Sequence, residues 1–283
     1  MSAGQKIRTR DDNFALRSGG GGQIGFFNIA TMAKIIAHRK PRFGIADVGC
    51  FLQSQSGFGE EVFTAHRSNF AGLPQVLASQ NLSGADLILA DLGVSSMQID
   101  DPTRGFSVKH HGPLDMRMNP QRSQPASALL QKIKPDALAV MLADFSDEPN
   151  ATTLAPALAG KLFSTTRDLG DAIRAALPRL GKDDSDLTVR RVFQALRIAV
   201  NDEFSALETL LRNLPSCLKP GGLVAILTFH SGEDRRVKKV FAAGFEAGIY
   251  SEISHEVLRP TPEERNSNSR SAPAKLRWAK RAE

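Results

Sequence analysis

Between residues 91 and 118 the chain reads DLGVSSMQIDDPTRGFSVKHHGPLDMRM, where acids, hydroxyls, glycines and two arginines fall without helical or strand period. Asp91 follows an apolar run, Ala85 to Ala90, that reads as a buried strand. A long polar loop hung on such a strand is where α/β enzymes carry their chemistry. Beyond Asp91, Gly93 and the Ser95–Ser96 pair offer tightly turned amides and hydroxyls suited to a polar group. Asp115 and Arg117 alternate with Leu114, Met116 and Met118, which predicts one packed and one polar face; a surface ion pair is the plainer explanation. His230 ends a second apolar run, Leu223 to Phe229, and suits acid–base chemistry. No second histidine or cysteine stands near it at ligand spacing, so no metal site is expected. Neither Ser95 nor Ser96 lies in a G-x-S-x-G elbow, which argues against a serine hydrolase.

Other residues could join this set. Gly19 to Gly22, followed by Gln23, would let a ligand approach the backbone closely, although a flexible linker explains four glycines equally well. The run is neither a P-loop nor GxGxxG. Asp47 ends an expected strand, where an acid can meet ribose hydroxyls or simply cap a turn. Arg190, Gln194, Arg197 and Asn201 recur at helical steps as a polar stripe, either a solvated face or one wall of a cleft.

These residues need a frame. Strands are expected over 43–48, 87–90, 223–229 and 274–279, and helices over 24–37, 73–79, 126–133, 136–145 and 168–177. The clearest helix spans about 188–214, with Phe193, Leu196, Val200, Phe204 and Leu207 as its buried stripe. Prolines 125, 135, 149, 156 and 178 punctuate the helix-rich middle. Strands alternating with helices predict an open, largely parallel α/β sheet, with ligands beyond the carboxyl ends of its strands. That puts the Gly20 region, the Asp91 loop and the His230 loop on one rim.

A chain of 283 residues with 41% hydrophobic and 23% charged residues has the composition of a soluble globular protein and needs no staples. Two cysteines, Cys50 and Cys217, exclude a disulfide framework. No apolar stretch approaches a membrane span or a signal peptide, so a soluble cytoplasmic protein is expected. Lysine and arginine exceed acids by 36 to 30. The basic residues cluster at 235–239 and 259–281, as binding to a phosphate backbone requires.

The motifs DLGVSS, Gln98-Ile99-Asp100, RGFS, GPLDMRM, FQALRIAVNDE, LKPGG and FHSGEDR follow one another in an order that resembles one family. The chain is similar to the RsmH (MraW) family of 16S rRNA cytosine-N4 methyltransferases across 85–118 and 188–240, and again in SAPAKLRWA. The resemblance implies an α/β fold: a Rossmann-like class I methyltransferase sheet with an inserted helical subdomain. Residues 19–119 and 188–283 would form the core and 120–187 the insertion, after a poorly ordered segment 1–18. It implies S-adenosyl-L-methionine as cofactor, touched by Gly21, Gly22, Gln23, Asp47, Phe70, Asp91 and Gln98. Asp91, Ser95, Ser96, Asp115, Arg117, Arg197, Asn201 and His230 would surround a target cytidine, and small-subunit ribosomal RNA or a ribosomal particle would be the partner. The N-terminal region departs from the pattern, with Gln23 where the family carries histidine, and Ser146-Asp147-Glu148-Pro149 matches only loosely. A divergent paralogue that binds such particles without methylating them is therefore the alternative.

Overall fold

The computed structural model describes His66, residues 68–283 and the backbone of a two-residue strand at 44–45. Segment 1–18, Gly21, Gly22, Gln23, the helix expected over 24–37, Asp47 and Cys50 lie outside the described residues. Among the described residues five strands, β1 (Gly44–Ile45), β2 (Ala85–Asp91), β3 (Leu218–Thr228), β4 (Tyr250–Ile253) and β5 (Lys275–Arg281), form one sheet in the order β1-β2-β3-β5-β4. β1, β2 and β3 are parallel, whereas β5 runs antiparallel to both β3 and β4. Among the described strands β5 alone is reversed, since β4, antiparallel to β5, runs with β1, β2 and β3. The open sheet is largely parallel in direction, as expected, with an antiparallel side. β2 and β3 carry the near-continuous apolar runs of strands covered on both faces. β5 interleaves lysines and arginines with Leu276, Trp278 and Ala279, a pattern that the antiparallel side tolerates.

The helices in chain order are α1 (Leu73–Ser79), α2 (Ser96–Asp100), α3 (Ala126–Lys132), α4 (Pro135–Ser146), α5 (Ala151–Leu158), α6 (Thr166–Ala176), α7 (Lys182–Asn201), α8 (Glu203–Cys217), α9 (Ser231–Glu246) and α10 (Pro262–Ser267). Two apolar cores organise them. One joins Ile88 and Ile226 of the sheet to Leu210 and Leu214 of α8 and Phe241 of α9. The other joins Leu114 and Met116 to Leu142, Leu154, Leu169 and Leu196 from the helices that follow.

The single helix expected over 188–214 is two helices. Asp202 stands between them with φ +52°, in the left-handed region that Asn and Asp enter more readily than most residues. The break divides the buried stripe, so Phe193, Leu196 and Val200 enter the helical core while Leu207 enters the sheet core. Two prolines expected or able to break helices do not: Pro156 lies inside α5 and Pro215 inside α8. Their neighbours Ala155, Leu158, Leu214 and Cys217 are almost fully buried, and that packing outweighs the lost backbone bond. The Asp91 and His230 segments are also more regular than loops. Ser95 caps α2 through a capping box with Gln98, and His230 is the N-cap of α9.

Candidate active site

In the parallel pairing of β2 with β3, Asp91 sits opposite Leu227. The segments that follow Asp91 and Thr228 therefore leave the sheet on the same carboxyl edge. Gly93, with φ +102°, turns the chain there in a conformation that a side chain would strain. The edge opens into a small cleft that is open to solvent. Gly93 and Leu92 form one side and Phe70 another. Met118, Asn201, Glu203 and Glu233 bring polar groups from three further segments.

Asn201 explains why GPLDMRM reaches this cleft. Its Oδ1 accepts from the Met118 N–H at 2.6 Å, while its Nδ2 donates to the carbonyls of Met116 and Arg197, both at 2.8 Å. Met116 is fully buried with φ +62°, a backbone state that costs about 1–3 kcal/mol in a residue without special tolerance for it. The Asn201 amide and the Arg104 carbonyl, which accepts from the Met116 N–H at 2.9 Å, hold it there. Below the same turn, Arg117 forks Asp115 at 2.8 and 2.7 Å and donates to the carbonyls of Pro120 and Ser123. Burial would push the Asp115 carboxyl up, but the Arg117 bonds and the nearby Arg104 charge hold it below the usual range. This pair braces the turn from outside the cleft.

Two acids occupy the cleft wall in different ways. Arg197 forks Glu203 at 2.8 and 2.9 Å, with both side chains largely out of solvent. Burial pushes the Glu203 carboxyl up against the pull of Arg197, and neighbouring Glu233 adds to the push. Glu233 accepts from the Phe229 N–H on Oε2 at 2.8 Å. His230 Nδ1 accepts from the Glu233 N–H at 3.4 Å, which assigns the ring proton to Nε2. Nε2 lies 3.2 Å from Glu233 Oε1, a close contact without hydrogen-bond alignment. Burial alone would raise the Glu233 carboxyl, yet contact with His230, the Arg197 charge and the Phe229 N–H together hold it below the usual range.

The expected site residues fall into three positions. Phe70 and Asn201 line the cleft, and Arg197 and His230 stand directly behind its two acids. Asp91 ends β2 at its rim. Ser95 and Gln98 are joined to each other by the capping box, Gln98 Oε1 accepting from the Ser95 N–H at 3.0 Å, and Ser96 opens α2. Asp115 and Arg117 form the brace. Arg190 and Gln194 do not reach the cleft; they bond the carbonyls of Asp186 and Phe145. Sequence reasoning misses Glu203, and it covers Glu233 only as part of the His230–Arg235 segment without singling it out. The signal is present, since an acid at 203 continues past a break-prone Asn201-Asp202 pair and Glu233 occupies the N3 position of a capped helix. Among the described residues no cluster of three or more His, Cys, Asp or Glu could hold a metal ion, and no helix is long and apolar enough to cross a membrane.

The family model of the MraW methylases matches residues 51–282, more than four fifths of the sequence. This chain belongs to the MraW methylase family. It is 47% identical over 239 residues to ribosomal RNA small subunit methyltransferase H 1 of Agathobacter rectalis, covering 81% of this chain and 68% of that protein. It is 46% identical to ribosomal RNA small subunit methyltransferase H 2 of Alkaliphilus metalliredigens, covering 80% and 67%. With ribosomal RNA small subunit methyltransferase H of Elusimicrobium minutum the identity is 37%, covering 88% and 84%. The first two matches thus span about two thirds of each relative. In this MraW methylase the cleft residues Phe70, Gly93, Asn201, Glu203 and Glu233 all lie inside the family match, whereas Gly21, Gly22, Gln23 and Asp47 precede it.

Proposed function

We propose that this protein transfers a methyl group from S-adenosyl-L-methionine to the N4 amino group of a cytidine in small-subunit (16S) ribosomal RNA. The observation that carries the reading is the cleft at the joint carboxyl edge of β2 and β3, where family motifs from four separate segments meet. Its donor set fits the cofactor: two carboxylates against one guanidinium leave a negative wall for a sulfonium, and buried Phe70 offers an aromatic surface for an adenine. The cofactor would supply an already activated methyl, so the protein's work is alignment and exclusion of water. Phe70, Asp91 and Gln98 would hold the cofactor, together with Gly21, Gly22, Gln23 and Asp47. Asn201, through the turn at Met116, would fix the wall against which the base rests, while Ser95, Ser96, Asp115 and Arg117 shape the approach. A flipped or looped-out base is needed, because N4 cannot be reached inside a stacked helix.

The basic clusters contribute less free charge than the sequence suggests. Arg235 pairs with Asp147, Arg236 with Glu208, Arg270 with Asp100, Lys280 with Glu252, and Lys275 and Arg277 with Asp234. Lys238, Lys239, Arg259 and Arg265 are exposed and would meet the RNA backbone. The test is transfer of labelled methyl from the cofactor to small-subunit RNA lacking the modification. Transfer is expected, and Asp91→Ala should abolish it. No transfer together with no cofactor binding by calorimetry would refute the reading; RNA binding without transfer would favour a non-catalytic paralogue.

A further inference from the structure

The two cleft acids differ in what remains free on them. Both oxygens of Glu203 are taken by the Arg197 fork. Glu233, only 4% exposed, has Oε2 committed to the Phe229 N–H, while among the described residues Oε1 meets only the misaligned Nε2 of His230. His230 itself is anchored, since its Nδ1 caps α9 and its ring lies 5.8 Å from Phe204. The Glu203–Arg197 pair cancels in charge, so Glu233 is the carboxylate whose charge is not matched by a forked guanidinium. An acceptor-only group so placed accepts from an amino group and repels a carbonyl oxygen.

We propose that Glu233 accepts a hydrogen bond from the exocyclic amino group of the target base and takes its proton, with His230 as the positioning residue that holds the carboxylate; this rests on the methyltransferase reading above. In the step, the amino nitrogen's electron pair forms the new N–C bond and the S–C pair leaves with the sulfur of the sulfonium donor. The nitrogen then loses one proton to Glu233 Oε1, which passes it to water. The same contact makes Glu233 a specificity residue: the amino group of cytosine matches it, and O4 of uracil faces it acceptor to acceptor.

Glu233→Gln keeps the size of the side chain and an oxygen for the Phe229 N–H. It should lower kcat by roughly 100-fold, within the usual range for a lost general base. A second readout uses an RNA fragment containing the methylated cytidine and the same fragment with uridine there. The native protein should bind the cytidine fragment about tenfold more tightly, and Glu233→Gln, whose oxygen stays with the Phe229 N–H and whose amide nitrogen then faces the base as a donor, should lose or reverse that preference. An unchanged kcat overturns the inference. So does lost turnover with the preference intact, because a purely structural role would give that result. Absence of transfer by the native protein overturns the parent reading instead. If Glu233→Gln does not fold, Glu233→Asp carries the test: the preference should persist while kcat falls about tenfold as the carboxylate retracts, and native kcat overturns the proposal.

Discussion

The Arg197–Glu203 fork joins the last turn of α7 to the first of α8, across the Asp202 break, and its removal has a predictable asymmetry. In Glu203→Gln the guanidinium stays buried and loses its counter-charge, at a cost near the low end of the 3–5 kcal/mol typical of broken buried pairs, about 3 kcal/mol, because Glu233 is close enough to compensate in part. In Arg197→Met the stranded acid has an escape. Burial already pushes Glu203 up, and without Arg197 it takes a proton instead of remaining charged. Its folded-state pKa then exceeds the unfolded value, so the variant is most stable at low pH and loses stability as pH rises through the folded pKa. Replacing both, as Arg197→Met with Glu203→Gln, should cost less than the two single losses added together, giving a coupling energy of about 2 kcal/mol. Urea unfolding followed by Trp278 fluorescence measures this. With a slope of about 3 kcal/mol/M, Glu203→Gln should lower the midpoint by about 1 M at pH 7. Additive losses in the double variant, or a midpoint shift for Glu203→Gln under about 0.2 M, would refute the reasoning.

Asn201→Asp keeps the acceptor for Met118 but turns a donor into an oxygen facing the Met116 and Arg197 carbonyls. It should destabilise by about 2–4 kcal/mol, and differential scanning calorimetry should show the loss shrinking at acid pH, where the introduced carboxyl is protonated and can donate again. Asp234 is held below the usual carboxylate range, against the effect of burial, by Arg277 and Lys275. Its contribution is present above the unfolded pKa and lost as pH falls through the folded one, so Asp234→Asn should be clearly less stable at pH 7, with the deficit shrinking as the pH of urea titrations is lowered through the folded pKa. Replacing Lys238 and Lys239 with alanine should lower the slope of log K for RNA against log salt by about 1.5, with kcat at saturating RNA unchanged.

How much of this could be read from the chain depended on whether a signal was local. The ends of β2 and β3 were legible because long apolar runs stop at Asp91 and at Phe229. Which of the surrounding polar groups face the cleft was not, since that depends on contacts across 80 or more residues, such as Asn201 with Met116 and Met118. The break at Asp202 was hidden because the apolar stripe continues through it in phase while changing cores. β4, with Ser251 and Glu252 exposed between Tyr250 and Ile253, is too short to carry a period of its own. The charge clusters misled in the opposite direction: sequence counts arginines, but only the fold shows that Arg277 and Arg235 are spent on Asp234 and Asp147.

The central claim is that this cleft directs methyl transfer to an exocyclic amino nitrogen. Mass spectrometry of nucleosides from small-subunit RNA treated with the protein and labelled S-adenosyl-L-methionine tests it most directly. Label is expected in N4-methylcytidine, and Glu233→Gln should lose it. Label in a carbon-methylated base, in a methylated uridine or in ribose would contradict the claim.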